Sequence, residues 1–193
     1  GETLQGNYIA GVYYPDKTRV GWWKNGYPEY FAKVLNATNW IGLNISINGE
    51  VLDLNTCKVS DFSRVLDMKL GTLTRKFIAE QKNGNVVAIE SVRFCSIVDD
   101  EAGVIKYTIT PKNFDGNIEV ESYLDGDVKN QDSNYDEKFW NEVNAKQEVD
   151  FALLTLETKK TAFWVSSAIY TSIVKEGNEL GLQPSFTSTD KYV

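Results

Sequence analysis

A chain of 193 residues with 27 acidic and 20 basic side chains carries a net charge of -7, which repels phosphate backbones and anionic lipid and so sets nucleic acid and membranes aside as partners. Its length is enough to bury a core without a metal or disulfide staple. Histidine is absent, which removes the usual general base near neutral pH, the Ser/His and Cys/His activation systems and the commonest zinc ligand.

Taken in chain order, the first feature is a dense aromatic group, Trp22, Trp23, Tyr27, Tyr30, Phe31 and Trp40. Indole and phenol faces are what the C–H faces of sugar rings stack on, so Trp22, Trp23, Tyr27 and Trp40 are candidate carbohydrate contacts; the competing expectation is that these rings close a core or an interdomain contact. Residues 28–35 (PEYFAKVL) have the spacing of a short helix. Ile41, Leu43, Ile45 and Ile47 then alternate with Gly42, Asn44, Ser46 and Asn48, which predicts a half-buried strand. Asn48-Gly49 tolerates positive φ and suits a type I′ turn, returning the chain along residues 51–54.

Residues 72–81 and 86–97 read as a second hairpin across Asn83-Gly84. Residues 104–110 alternate through Ile105, Tyr107 and Ile109, stop at Pro111, turn at Asp115-Gly116 and resume with Ile118, Val120 and Leu124. Residues 136–144 form the other helical candidate. A last pair, residues 149–158 and 162–173 joined across Lys159-Lys160, would turn Phe163, Val165 and Ile169 inward. The tail from Gly177 to Val193 loses alternation and is expected to be a loop or the lead into further strands. Many strands, Gly and Asn turns and scarce helix predict an all-β fold, a large antiparallel β-sandwich with few short helices.

Asp125, Asp127, Asn130, Asp132, Asn134 and Asp136 are oxygen ligands of the kind calcium takes, but Asn130 stands where an EF loop needs glycine and Lys129 puts a cation at a ligand position. An Asx-rich turn with no metal is the expectation. Asn36-Ala37-Thr38 and Asn44-Ile45-Ser46 match the glycosylation triplet, and both are taken as coincidental. Cys57 and Cys95 lack CxxC spacing and read as reduced core thiols. No apolar run approaches the ~20 residues a bilayer requires, and Gly1 to Gly6 lack signal-peptide blocks, so a cytoplasmic location is expected.

Residues 8–40 (YIAGVYYPDKTRVGWWKNGYPEYFAKVLNATNW) resemble the N-terminal domain of glycoside hydrolase family 65, which includes maltose, kojibiose and trehalose phosphorylases. LDMKLGTLTRKF at 66–77, SVRFCS at 91–96 and residues 107–140 resemble the maltose phosphorylase branch in the same order, although Thr38 stands where the family often has proline. The resemblance implies a supersandwich of galactose mutarotase-like type, with residues 1–193 a single β-sandwich domain and a fragment lacking terminal strands. It also implies a partner (α/α)6 barrel elsewhere on the polypeptide, which holds the catalytic acid and the site for inorganic phosphate as co-substrate. No cofactor and no catalytic residue are carried onto this chain. The implied role is a non-catalytic scaffold with interdomain packing or homodimer contacts; the alternative is a stand-alone module that binds oligosaccharide through its aromatic group. An independent sugar-modifying enzyme on a mutarotase-like sandwich fits least, because such sites commonly rely on histidine.

Overall fold

The computed structural model describes residues 6–18, 21–130, 137–182 and 191–192. In chain order the strands are β1 (Tyr8–Lys17), β2 (Tyr30–Asn36), β3 (Leu43–Ile47), β4 (Glu50–Val51), β5 (Lys58–Asp67), β6 (Thr72–Glu80), β7 (Val86–Cys95) and β8 (Gly103–Pro111). They continue with β9 (Ile118–Ser122), β10 (Leu124–Asp125), β11 (Trp140–Gln147), β12 (Phe151–Thr158), β13 (Trp164–Tyr170), β14 (Ile173–Lys175), β15 (Asn178–Leu180) and β16 (Lys191–Tyr192). Among the described residues the helical content is one 3-10 turn, Trp22–Asn25. The expected all-β, antiparallel class is what the chain adopts.

Two compact units form, one from Asn44–Val120 and one from Glu2–Leu43 with Glu121–Val193. The first contains the four-stranded meander β5-β6-β7-β8. Its buried face follows from register: Phe77 lies opposite Ile89 and Ala79 opposite Val87, and all four are buried, because cross-strand partners share a face. Strand β3 pairs with β4 through the expected tight turn, with positive φ at both Asn48 and Gly49, and β9 returns to pair along its other side. Strand β5 is exposed almost throughout, and Asp61, at a φ of 50°, interrupts its register with β6 between Ser60 and Ser63.

The second unit holds the hairpin β1-β2, the sheet β11-β12-β13 and the short pairs β14-β15 and β10-β16. Its core joins Val12 and Tyr14, Leu35 and Ala37, Leu124 and Val128, Phe139 and Trp140, and Ala152, Leu154 and Leu156, with the Tyr14 and Phe139 rings 4.4 Å apart. Phe163, Val165 and Ile169 pack against it, as the alternation of β13 predicts. Gly126 is required there: a Cβ at that position would lie 2.7 Å from Leu154 Cδ2.

Both helical expectations are corrected. Residues 30–36 form β2, because Lys33 and Leu35 face inward while exposed Tyr30 and Val34 put apolar groups on the outer face as well, imitating a helical stripe. Residues 140–147 form β11, whose bulge between Glu142 and Asn144 displaces Val143 from strict alternation; Asp136 lies outside the described residues. The tail adds β15, joined to β14 across Glu176-Gly177 with positive φ at both, and residues 183–190 lie outside the described set.

Candidate functional site

The first candidate surface is the β1-β2 connection. Trp22 and Trp23 sit on the 3-10 turn there, and their side chains lie outside what the structure describes. Tyr27 is exposed and meets Phe31 edge to face at 6.5 Å, and Lys17 Nζ lies 5.8 Å from the centre of the exposed Tyr30 ring. Trp40 is not part of an exposed platform, since it is half-buried against the core of the second unit. The structure therefore supports a solvent-facing role for Tyr27 and a packing role for Trp40.

The acidic loop is divided among structural tasks. Asp125 Oδ1 accepts the Asp127 N–H at 3.0 Å, an Asx turn, and Asp127 forms an ion pair with Lys138. Asn130 turns inward onto β2, where Oδ1 accepts the Asn36 N–H and Nδ2 donates to the Val34 carbonyl. Asp132, Asn134 and Asp136 lie outside the described residues, and among those described no group of three potential metal ligands assembles. Asn36, the first glycosylation triplet, is buried and fully engaged: Oδ1 accepts the Asn7 N–H, Nδ2 donates to the Lys129 carbonyl, and its own carbonyl accepts Trp140 Nε1 at 2.8 Å.

Three titratable groups meet at the edge of the same core. Tyr14 donates to Glu137 Oε1 at 3.1 Å, and Lys160 Nζ sits 4.5 Å from the centre of the Tyr14 ring. Burial raises the Tyr14 pKa above the usual phenol value, against the opposing pull of Lys160, while the hydrogen bond to Tyr14 raises that of Lys160. Phenol and ammonium thus both keep their protons. The expectation of two core thiols holds only in part: both cysteines are free and Cys57 is half-buried, with its pKa raised chiefly by that burial, but Cys95 at the end of β7 is exposed.

A second surface escaped the aromatic inventory. On β13 the inward set Val165 and Ile169 leaves Trp164, Ser166, Ala168 and Tyr170 facing out, with Trp164 65% and Tyr170 77% exposed. The signal was present in the sequence as period two: if Phe163, Val165 and Ile169 face the core, Trp164 and Tyr170 face solvent.

Comparison with known proteins gives a consistent answer. The family model "Glycosyl hydrolase family 65, N-terminal domain" matches residues 1–192. Over all 193 residues the chain is 39% identical to a maltose phosphorylase of Bacillus subtilis, of which it covers 25%. Over 125 residues, 65% of the chain, it is 34% identical to a kojibiose phosphorylase of Thermoanaerobacter brockii, covering 15% of that protein. A solved structure assigned as a kojibiose phosphorylase from the human microbiome superposes with a TM-score of 0.74 at 24% identity, covering 93% of this chain and 25% of that one, which establishes the shared fold. The chain spans a quarter or less of the length of these relatives. On the match across practically every residue, the chain belongs to the family of N-terminal domains of glycosyl hydrolase family 65.

Proposed function

We propose that the chain is the non-catalytic N-terminal domain of a cytoplasmic disaccharide phosphorylase, one that cleaves maltose or a related α-linked disaccharide with inorganic phosphate. The observation that carries this reading is the alignment over all 193 residues to a maltose phosphorylase of which these residues make up only a quarter. In the parent enzyme a carboxylic acid on the partner barrel protonates the leaving oxygen and phosphate attacks the anomeric carbon with inversion. The domain's own contribution is packing, as a scaffold beside that barrel or at a subunit contact.

Exposed apolar side chains support the packing role. The β5-β6 and β7-β8 turns lie at the same end of the meander, since β6 and β7 are neighbours, and they display Met68 and Leu70 beside Ile97 and Val98, the last two 93% and 92% exposed. Such a group at one end of a sheet marks a surface that another part of the polypeptide covers. The test compares purified residues 1–193 with the full-length parent for phosphate-dependent release of glucose 1-phosphate from maltose, kojibiose and trehalose. Turnover by the parent alone is expected; turnover by the 193-residue chain would overturn the assignment.

A further inference from the structure

Sheet β11-β12-β13 has one face on the core and a second, partly open face, exposed along its outer strands β11 and β13 while Thr155 in the middle of β12 is buried. Register builds the open face row by row: Asn141, Glu157 and Trp164 lie side by side, then Asn144, Thr155 and Ser166, then Lys146, Leu153 and Ala168, with Phe151 and Tyr170 at the far end. Trp164 is held in place, because its Nε1 donates to Oε1 of its cross-strand neighbour Glu157 at 2.8 Å while the ring stays largely in solvent. Tyr170 is steadied by the Phe151 ring at 4.9 Å. Between the two aromatics, Thr155 and Ser166 share a 2.9 Å hydrogen bond.

We infer that this face binds a linear oligosaccharide of pyranose sugars, with Trp164 and Tyr170 as stacking rings and the exposed Ser166, Asn144 and Lys146 as hydroxyl partners. Two arguments favour a sugar over a protein partner. The centres of protein interfaces are depleted in charged groups, whereas here Glu157 borders Trp164 and Lys146, ion-paired with Glu148, lies in the row that ends at Ala168. A pyranose offers what this surface complements, an apolar C–H face bordered by donors and acceptors. Preorganisation matters as well: a tryptophan already fixed by Glu157 loses little rotamer freedom on binding. Trp164 and Tyr170 are six positions apart on one strand, about 20 Å at the usual rise, so the ligand is an oligosaccharide of several units rather than a disaccharide.

The site stands apart from the proposed packing role, and its test reads neither phosphorolysis nor docking. The 193-residue chain is titrated with maltohexaose and, separately, cellohexaose, following the indole N–H and backbone amide resonances. Saturable shifts of the Trp164 indole and of β11 to β13 amides with at least one sugar are expected, and the responding sugar assigns the linkage. Trp164→Ala should weaken binding ~tenfold, the size of one stacking contact, while Trp164→Tyr retains most of the affinity. Tyr170→Ala is the second variant should Trp164→Ala fail to keep the native amide spectrum. No shift with either sugar at millimolar concentration, or shifts unchanged in the alanine variants, overturns the proposal. So does loss of self-association in Trp164→Ala without any sugar response, which would make the face a protein contact.

Discussion

Asn130 acts on Asn36 as a neighbouring strand would, its Oδ1 accepting the buried Asn36 N–H at 2.8 Å while its Nδ2 donates to the Val34 carbonyl, also at 2.8 Å. One side-chain amide thereby satisfies two backbone groups of β2 across 94 positions of sequence. Replacing it strands both, so Asn130→Ala is expected to lower unfolding free energy by about 1–3 kcal/mol, most of it from the buried Asn36 N–H, since the Val34 carbonyl is only part-buried and can turn to water. Asn130→Asp keeps the acceptor and loses the donor, and should fall between alanine and the native chain. Urea midpoints at fixed slope measure both.

The indole of Trp140 completes the same network by donating to the Asn36 carbonyl. Trp140→Phe keeps most of the apolar contact and removes the donor, which should cost about 1–3 kcal/mol. In the double variant with Asn130→Ala the losses should not add, because both act on the backbone groups of β2 and Asn36. A thermodynamic cycle from four urea titrations checks the coupling.

Tyr14 gives the chain an alkaline limit. Burial first, then Glu137, raises its pKa above the unfolded value, and burial likewise raises Tyr107 against the opposing Arg75 charge. The folded state therefore holds phenolic protons more tightly than the unfolded one. Their contribution is complete below the unfolded pKa of about 10 and is lost as pH climbs through the raised folded values. Stability should begin to fall as pH climbs past the usual thiol range near 9, where the raised Cys57 pKa adds a loss of the same sign, and fall further above about pH 10, with the phenolic part of the decline shallower in Tyr14→Phe; urea midpoints between pH 7 and 11 decide it.

Two glycines separate backbone strain from steric conflict. At Gly49 a Cβ would meet nothing within 4 Å, so Gly49→Ala pays only for φ of 80°, about 1–2 kcal/mol. At Gly42 a Cβ would stand 2.3 Å from the Tyr123 ring, so Gly42→Ala should cost more. The pair Gly42→Ala with Tyr123→Ala should recover part of that loss, as read from thermal midpoints.

Ile97→Lys and Val98→Lys test the packing surface. Both positions are almost fully exposed, so each change should alter the stability of the 193-residue chain by less than about 0.5 kcal/mol. In the full-length parent the same changes should lower the thermal midpoint, because there they would bury a charge without a partner.

Strands with one buried face could be read from the sequence. Phe77 and Ala79 on β6, Val87 and Ile89 on β7, and the Phe163, Val165 and Ile169 set beside β13 all follow period two because water lies on one side only. Strand β2 could not, since Tyr30 and Val34 place apolar groups on its outer face too, and β5 could not because neither of its faces is consistently covered. Composition near Asn130 predicted an Asx-rich turn, which Asp125 forms, whereas the part Asn130 plays depends on a backbone edge far away in the chain, which local spacing does not encode. Among the aromatics, density singled out Trp22, Trp23, Tyr27 and Trp40, while the strand pairing of Trp164 with Glu157 gave a fixed and accessible indole.

The kink at Asp61 changes what β5 offers to other chains. An incoming segment that zips along this border must match amide for amide, and the residue at positive φ breaks that rhythm a third of the way along. The rim can be wide open to water and still resist growing into a fibril.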